Sequence, residues 1–174
     1  MSEVTMSHAP NRLVSLLLAL ALIPLVAGCG GEDGSAPSSN GAETASEGAV
    51  TEITIQPVGN QMKYEQTEFT VPAGEEITIT FENTATSPAM QHNVVVLNTN
   101  DDAVVNRVGQ AGTAAADNDY VPDDDAVLAA TEMSEPGETV SVTFTAPSEA
   151  GDYRYICTFP GHYTVMQGTM TVTA

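Results

Sequence analysis

Alternating polar and apolar positions dominate the chain from residue 51 onward. The segments 51–55, 76–81, 139–144 and 169–172 alternate with period two and are rich in Thr, Val and Ile. This period points successive side chains to opposite faces of a strand, so each segment is predicted to be a half-buried β-strand. Residues 93–97 contain a continuous apolar run instead, which predicts a strand buried on both faces.

Turn residues separate these segments. Pro occurs together with Gly or Ser at 72–74, 135–138 and 146–148, as is typical of tight turns. Many short strands joined by such turns predict an all-β sandwich or barrel. Residues 101–116 break the pattern, because apolar residues recur there at helical spacing behind two aspartates that favour a helix N-terminus. We predict a short helix or an irregular flap at this position.

The N-terminal part of the chain differs in composition from the rest. Residues 13–26 are almost wholly apolar, yet too short to span a membrane comfortably, and they follow Arg12. Such a run behind a basic residue is typical of an export signal, so residues 1–28 are predicted to be a signal peptide. Residues 29–50 are mainly Gly, Ser, Ala and acids, which cannot bury a core and predict a flexible linker. The folded domain is expected at 51–174.

The apolar run ends in Val26-Ala27-Gly28-Cys29, which resembles the lipobox of prokaryotic lipoproteins. The resemblance implies that Cys29 carries lipid and becomes the first residue of the mature chain. The alternative is a cysteine that merely lies near an ordinary cleavage site. Several acyl chains on one residue anchor a protein stably. We therefore expect an exported protein, held through lipidated Cys29 at the outer face of the cytoplasmic membrane or at another envelope membrane.

Acidic residues far outnumber basic ones. The chain has 23 Asp and Glu against 4 Lys and Arg, and its formal net charge is −19. This balance argues against nucleic acid as a partner and against direct adsorption to anionic lipid. It could steer the protein toward a basic partner, but acids scattered over many loops with almost no Lys favour adaptation to high salt. In strong brine the Debye length falls to about 3 Å or less, so long-range steering would be small.

Four potential metal ligands stand out in this sequence. Cys157, His162 and Met166 follow one another with the spacing Cys-x4-His-x3-Met, and His92 lies at the start of the predicted buried strand. Two imidazoles, a thiolate and a weak thioether are the ligand set of a blue-copper electron-transfer site. If Cys29 carries lipid, Cys157 has no disulfide partner, and copper ligation then accounts for the remaining thiol of an exported protein.

Each ligand taken alone has a plainer explanation. A single His is often a surface residue, a Cys is often a small buried hydrophobe, and a Met usually belongs to the core, as we predict for Met170. The combination favours copper, because both histidines beyond the signal segment, His92 and His162, fall where such a site requires them. The acidic run at 123–125 lacks the Gly and the spaced Glu of an EF-hand calcium loop and is expected to be solvated.

Two motifs, Cys-Thr-Phe-Pro-Gly-His at 157–162 and Met-Gln-His-Asn-Val-Val-Val at 90–96, resemble those of azurin and auracyanin among the cupredoxins. The similarity spans about residues 51–174. It implies a cupredoxin-like Greek-key β-sandwich of about eight strands that binds one copper ion. The motif match further implies three strong ligands and one axial ligand, Met166; the strong ligands would be His92, Cys157 and His162.

The same resemblance implies supporting roles. Asn93 matches a residue that braces the ligand loop by hydrogen bonding, where the ligand loop is the segment 157–166 with Cys157, His162 and Met166. Azurin has glycine at the position of Gln91, whereas auracyanin has glutamine there, as this chain does. This difference from azurin favours a four-coordinate site. The spacing between His162 and Met166, in contrast, follows azurin. Electrons are expected to leave through the exposed edge of His162. A surrounding apolar patch would allow brief docking and would consist of Phe159, Pro160, Tyr163 and Met90.

These features predict a copper-dependent one-electron carrier and not an enzyme, since copper oxidases and nitrite reductases need further copper centres and more histidines. The expected partners are redox proteins: cytochromes, respiratory or photosynthetic complexes, and oxidases or reductases. The carrier itself is expected to be a monomer. The alternative is a copper chaperone or storage protein, which would have exposed, exchangeable ligands.

Overall fold

The computed structural model describes residues 48–174, and these contain eight strands and one α-helix. The predicted signal peptide, Cys29 and most of the predicted linker lie outside the described residues. None of the helices that the structure describes has the length and apolar character needed to cross a membrane. In chain order the elements are β1 (Glu52–Ile55), β2 (Glu68–Pro72), β3 (Glu76–Glu82), β4 (Val95–Leu97), α1 (Asp102–Gly112), β5 (Val127–Ala130), β6 (Thr139–Thr145), β7 (Gly151–Ile156) and β8 (Gln167–Thr173).

The strands form two sheets that share one hydrophobic core. The smaller sheet has the order β1-β3-β6, and the larger has the order β2-β8-β7-β4-β5. β1 pairs in parallel with β3, and β2 pairs in parallel with β8, whereas the other pairs are antiparallel. The predicted all-β sandwich of about eight strands is confirmed.

Strand alternation builds the core as the sequence predicts. In β3, Ile77, Ile79 and Phe81 are fully buried, and the intervening residues are partly exposed. In β8 on the other sheet, Met170 and Val172 point into the same core, which confirms the prediction for Met170. Each of these strands therefore faces the core with every second residue, as expected for a sandwich.

β4 is buried on both faces, as its continuous apolar run predicts. Val94 and Val96 belong to the core between the sheets, whereas Val95 and Leu97 belong to a second cluster beneath α1. The predicted helix is therefore present, and it covers the outer face of the larger sheet. Asp101 caps its N-terminus: the carboxylate accepts hydrogen bonds at 2.8 and 3.1 Å from the backbone N–H groups of the second and third helical residues.

Two strands carry little sequence signal. β2 is an edge strand in which only Val71 is fully buried, so it lacks a clear alternation. β5 reads Val-Leu-Ala-Ala, and all four residues are half-buried. Alanine has a low strand propensity, and a four-residue edge strand shows no period. These strands form because their neighbours offer unpaired backbone groups.

The register of the larger sheet brings three chain ends together. Val95 at the start of β4 is paired with Ile156 at the end of β7, and Ile156 is also paired with Gln167 at the start of β8. The residues just before β4, just after β7 and just before β8 must therefore meet at one end of the sandwich. The predicted ligands lie in those three places.

Candidate metal centre

Three of the four predicted ligands converge at this end of the sandwich. The Nδ1 atoms of His92 and His162 lie 3.2 Å apart. The Sγ atom of Cys157 lies 3.8 Å from the first and 3.6 Å from the second. All three side chains are buried, with exposed fractions of 0, 0 and 4 % for His92, Cys157 and His162. This is the one group of His, Cys, Asp or Glu residues within 48–174 that is arranged to hold a metal ion.

The size of this triangle fits a metal ion. A triangle with these three sides has a circumradius of about 2 Å, which matches the roughly 2.0–2.3 Å that separate a first-row metal from imidazole nitrogen and thiolate sulfur. An ion at that point would touch all three atoms without any movement of the chain. Thiolate and imidazole donors in this combination suit copper.

The loop after β7 turns sharply so that His162 faces Cys157. Phe159, Pro160, Gly161 and His162 form a β-turn in which the His162 N–H donates to the Phe159 carbonyl at 3.0 Å. Gly161 has a φ of 84°, the left-handed conformation that a type II turn requires at its third position. Proline at the second position and glycine at the third are the residues that this turn prefers.

The loop then closes on itself and brings Met166 beside the metal ligands. The Met166 N–H donates to the His162 carbonyl at 2.8 Å, and the Cys157 N–H donates to the Met166 carbonyl at 3.0 Å. The Met166 side chain is fully buried. The backbone of residue 166 is thus tied to two of the ligand residues, while its role as axial ligand stays a prediction.

The backbone of His92 is fixed by a loop that the sequence does not single out. The His92 N–H donates to the Ser134 carbonyl at 3.1 Å, and the Ser134 N–H donates to the His92 carbonyl at 2.8 Å. Buried Asn83 joins the two segments, because its Nδ2 donates to the carbonyls of Met90 at 2.8 Å and Ser134 at 2.9 Å. No motif in the sequence marks Asn83 or Ser134 as part of the site.

Asn93 links the two ligand-bearing segments. Its Oδ1 accepts a hydrogen bond from the Thr158 N–H at 2.9 Å, and its Nδ2 donates to Thr158 Oγ1 at 2.9 Å. Its backbone carbonyl accepts from the hydroxyl of buried Tyr64 at 2.6 Å. Since Thr158 directly follows Cys157, these bonds hold the thiol next to the strand that carries His92.

Burial keeps both imidazoles neutral. It lowers the pKa of His92 to about 4, with a smaller contribution from the neighbouring His162, and it also lowers the pKa of His162. Both rings therefore offer a lone pair to a metal at neutral pH. Burial raises the pKa of the Cys157 thiol to about 12, against the opposing effect of backbone N–H groups of Asn93 and Phe159 that hydrogen-bond to its sulfur. A metal would have to displace the thiol proton.

The second ring nitrogen of His92 is held by packing instead of a hydrogen bond. Nε2 is buried and has no hydrogen-bond partner among the residues that the structure describes. A metal-bound histidine commonly donates this N–H to an acceptor. Here the ring stands edge-to-face with Phe81, with centroids 6.2 Å apart and an interplanar angle of 86°.

The predicted electron-transfer patch is only partly open. Phe159 is half-buried and stacks on His162 with ring centroids 4.9 Å apart, and Tyr163 is half-buried beside α1. Pro160 is exposed, and Met90 is half-buried. Its neighbours leave 4 % of His162 accessible, and exit of electrons through the edge of this ring stays a prediction.

Gln91, also predicted near the metal, is half-buried. Its Nε2 donates to Glu135 Oε1 at 3.2 Å on the surface.

Known proteins are similar to this chain in sequence and in fold. The family model described as copper binding proteins, plastocyanin/azurin family, matches residues 51–173. Auracyanin-A of Chloroflexus aurantiacus is 37 % identical over 162 residues, which cover 92 % of this chain and 96 % of that protein. Its solved structure, described as that of a "blue" copper protein, has a TM-score of 0.65 and 40 % identity, covering 72 % of this chain and all of the other.

Two further proteins extend the comparison. Reduced auracyanin of the photosynthetic bacterium Roseiflexus castenholzii has a TM-score of 0.68 and 41 % identity, and the match covers 73 % of this chain and 100 % of that structure. Outer membrane protein H.8 of Neisseria gonorrhoeae is 42 % identical over 104 residues, which cover 58 % of this chain and 55 % of that protein. Taken with the converged thiol and imidazoles, these matches show that the chain belongs to the plastocyanin/azurin family of copper-binding proteins.

Proposed function

We propose that this protein is a one-electron carrier that holds a single copper ion. The observation that carries the proposal is the buried triangle of two imidazole nitrogens and one thiol sulfur, which already has the dimensions of a trigonal metal site. Bound copper would supply the one-electron couple between its cuprous and cupric states. A ligand frame that suits both states avoids large rearrangement, which is what rapid electron transfer requires.

Different residues of the chain would have different roles at such a site. His92, Cys157 and His162 would hold the ion, and Met166 is proposed as the weak axial ligand. The core around them excludes water, because every one of these side chains is buried. The hydrogen bonds of Asn93 to Thr158 would hold the thiol next to the strand that carries His92.

The alternative is a copper chaperone or storage protein. Such a protein would release its metal readily, which favours exposed ligands. In this structure His162 is 4 % exposed and the other two ligands are inaccessible, so exchange would require the loop to open. We therefore favour the carrier. An enzymatic role is disfavoured because residues beyond the predicted signal segment include only two histidines, and the single site uses both.

The proposed electron-transfer partners are classes of redox protein. The electron would pass between redox proteins of the cell envelope, which could be cytochromes, respiratory or photosynthetic complexes, oxidases or reductases, and the carrier would act as a monomer. One observation supports the envelope: one relative is named an outer membrane protein. We propose that lipid on Cys29 tethers the domain there.

The acidic surface fits a protein that works in high salt. Carboxylates are spread over many loops of the domain, and the two ion pairs that the described residues form involve the two arginines, Arg107 with Asp124 and Arg154 with Asp102. Strong salt would screen the repulsion among the remaining carboxylates. We therefore propose that the free energy of unfolding rises with salt concentration.

The test of the carrier function is a visible absorption spectrum of the folded domain after addition of Cu²⁺ and then of a reductant. The proposal expects an intense absorption band that bleaches on reduction and returns on oxidation. Cys157→Ser is the matched control, because it removes the thiolate but keeps the volume and both imidazoles. A wild-type domain that stays colourless, or a serine variant that is equally blue, would overturn the proposal.

A further inference from the structure

A strained turn lies against the ligand loop. Asp119 and Tyr120, between α1 and β5, have left-handed backbone angles with φ of 51° and 59°. Within residues 48–174 they are the non-glycine residues with positive φ. Aspartate tolerates this region, but a bulky tyrosine there is an outlier that persists only where the surroundings enforce it. Strain of this kind concentrates at functional sites, so its contacts are informative.

Hydrogen bonds within the turn hold it in this conformation. The Tyr120 N–H donates to the Ala115 carbonyl at 2.9 Å, and the Val121 N–H donates to the Asn118 carbonyl at 2.8 Å. The Asn118 side chain donates to the Val121 carbonyl at 2.7 Å. The turn is therefore shaped by its own backbone and presents a fixed surface to its neighbours.

This surface meets the ligand loop at two points. The Asp119 carbonyl accepts a hydrogen bond at 3.0 Å from Nδ2 of Asn93, the side chain that also binds Thr158. The Tyr120 ring stands on Phe159 in a T-shaped arrangement, with centroids 5.2 Å apart and an interplanar angle of 67°. A left-handed backbone directs the carbonyl and the ring to these two partners, and a relaxed backbone would redirect both.

The last residue of α1 allows the close approach. A Cβ atom on Gly112 would lie 2.8 Å from the Tyr120 carbonyl oxygen and 2.9 Å from Cβ of Thr158. Contacts this short do not occur for real Cβ atoms, so any larger residue would push the turn and the loop apart. Glycine at 112 therefore lets helix, turn and ligand loop pack at one place.

Phe159 connects the turn to two predicted ligands. Its ring contacts both Tyr120 and His162, and it follows Cys157 by two residues in the chain. We propose that the Asp119–Tyr120 turn is a positioning element of the metal site: the Tyr120 ring fixes the Phe159 ring, and the Phe159 ring in turn fixes His162. The inference rests on the proposed carrier function.

Removal of the Tyr120 ring should therefore change the redox properties of the site. Phe159 covers His162, which is 4 % exposed, and water that reaches a copper ligand stabilises the more highly charged oxidised state. If Phe159 becomes free to move, water gains access to His162, and the reduction potential shifts downward. A looser His162 must also rearrange more during electron transfer, so the rate of electron self-exchange falls several-fold.

The test uses three variants of the copper-loaded protein. Tyr120→Leu removes the ring, Tyr120→Phe keeps the ring and removes the hydroxyl, and Val121→Ala shortens the next side chain, which packs against the cluster beneath α1. We expect a lower potential and slower self-exchange in Tyr120→Leu, wild-type values in Tyr120→Phe, and wild-type values in Val121→Ala despite a loss of stability. The control separates positioning from general destabilisation.

A copper-free measurement makes the test independent of metal loading. The Thr158 amide donates to Asn93 Oδ1, so its hydrogen exchange reports how firmly the loop is held. It should exchange faster in metal-free Tyr120→Leu than in metal-free Tyr120→Phe. Unchanged potential, self-exchange and Thr158 protection in folded Tyr120→Leu would overturn the inference while leaving the carrier function intact. A wild-type protein without a reversible blue chromophore would instead overturn the carrier function.

Discussion

Asn93 and Thr158 are joined by a reciprocal pair of hydrogen bonds, each 2.9 Å long, although 65 residues separate them in the chain. Asn93 directly follows His92, and Thr158 directly follows Cys157. The pair therefore connects two metal ligands through their immediate neighbours. Both residues are fully buried, so water cannot replace either bond.

Asn93→Ala is expected to lower the free energy of unfolding of the metal-free protein by roughly 2–4 kcal/mol, because buried partners on Thr158 are left unsatisfied. Urea unfolding measures the change. Asn98→Ala is the matched control: that asparagine is exposed and donates to the Asp125 carbonyl at 2.8 Å, so its loss should cost less than about 1 kcal/mol. Equal effects of the two substitutions would contradict the bracing role of Asn93.

Met166→Leu should retain copper but raise the reduction potential, since it removes a weak axial donor and makes the site more apolar. Voltammetry of the copper-loaded protein measures the shift. Met170→Leu provides the control, because that methionine is equally buried and lies in the core four residues further along. If both substitutions raise the potential alike, or if Met166→Leu lowers it, Met166 is not the axial ligand.

The metal-free protein should lose stability as the pH falls below 6.5. Burial lowers the pKa of His92 from 6.5 to about 4, so between these values the unfolded chain binds a proton that the folded chain excludes. The free energy of unfolding then falls with pH, by roughly 3 kcal/mol over the whole interval. Burial of His162 acts in the same direction. Urea unfolding between pH 8 and 5 checks this.

The alkaline side should show a second loss of stability, which begins with Cys157. Burial raises the pKa of its thiol from 9.0 to about 12, so above pH 9 the unfolded chain releases a proton that the folded chain retains. Cys157→Ser should abolish the part of this loss that begins at pH 9 and leave the part above pH 10, which comes from Tyr64 and Tyr155, whose pKa values burial also raises. It should preserve the acid loss, whereas His92→Gln should weaken the acid loss alone. A stability that is flat from pH 5 to 11 in the wild type would refute both assignments.

Cys29→Ala should release the protein from the membrane fraction of the producing cells, since a lipidated cysteine is the proposed anchor. Immunoblotting of membrane and soluble fractions measures the distribution. Cys157→Ser, which alters the other cysteine, should stay with the membranes. Membrane association that survives the Cys29 substitution would rule out this anchor.

Local sequence patterns specify several features of this fold and of its metal site. Period-two alternation in 76–81 and 139–144 specifies the core-facing side of β3 and β6, because adjacent side chains of a strand point in opposite directions. Pro160 and Gly161 specify the turn that returns His162 toward Cys157, since only glycine readily takes the φ of 84° found there. These features depend on neighbours within a few residues and can therefore be read from the chain.

Contacts between distant segments were decided only by the tertiary structure. Asn83 and Ser134, which lie 51 residues apart in the sequence, together fix the backbone of His92. The Asp119–Tyr120 turn contacts Asn93 and Phe159, which belong to two other loops. No local pattern states which remote carbonyl or ring will lie against a given side chain. The low exposure of His162 has the same origin. The sequence identifies this residue as a ligand, whereas its accessibility depends on how several loops pack at one end of the sandwich.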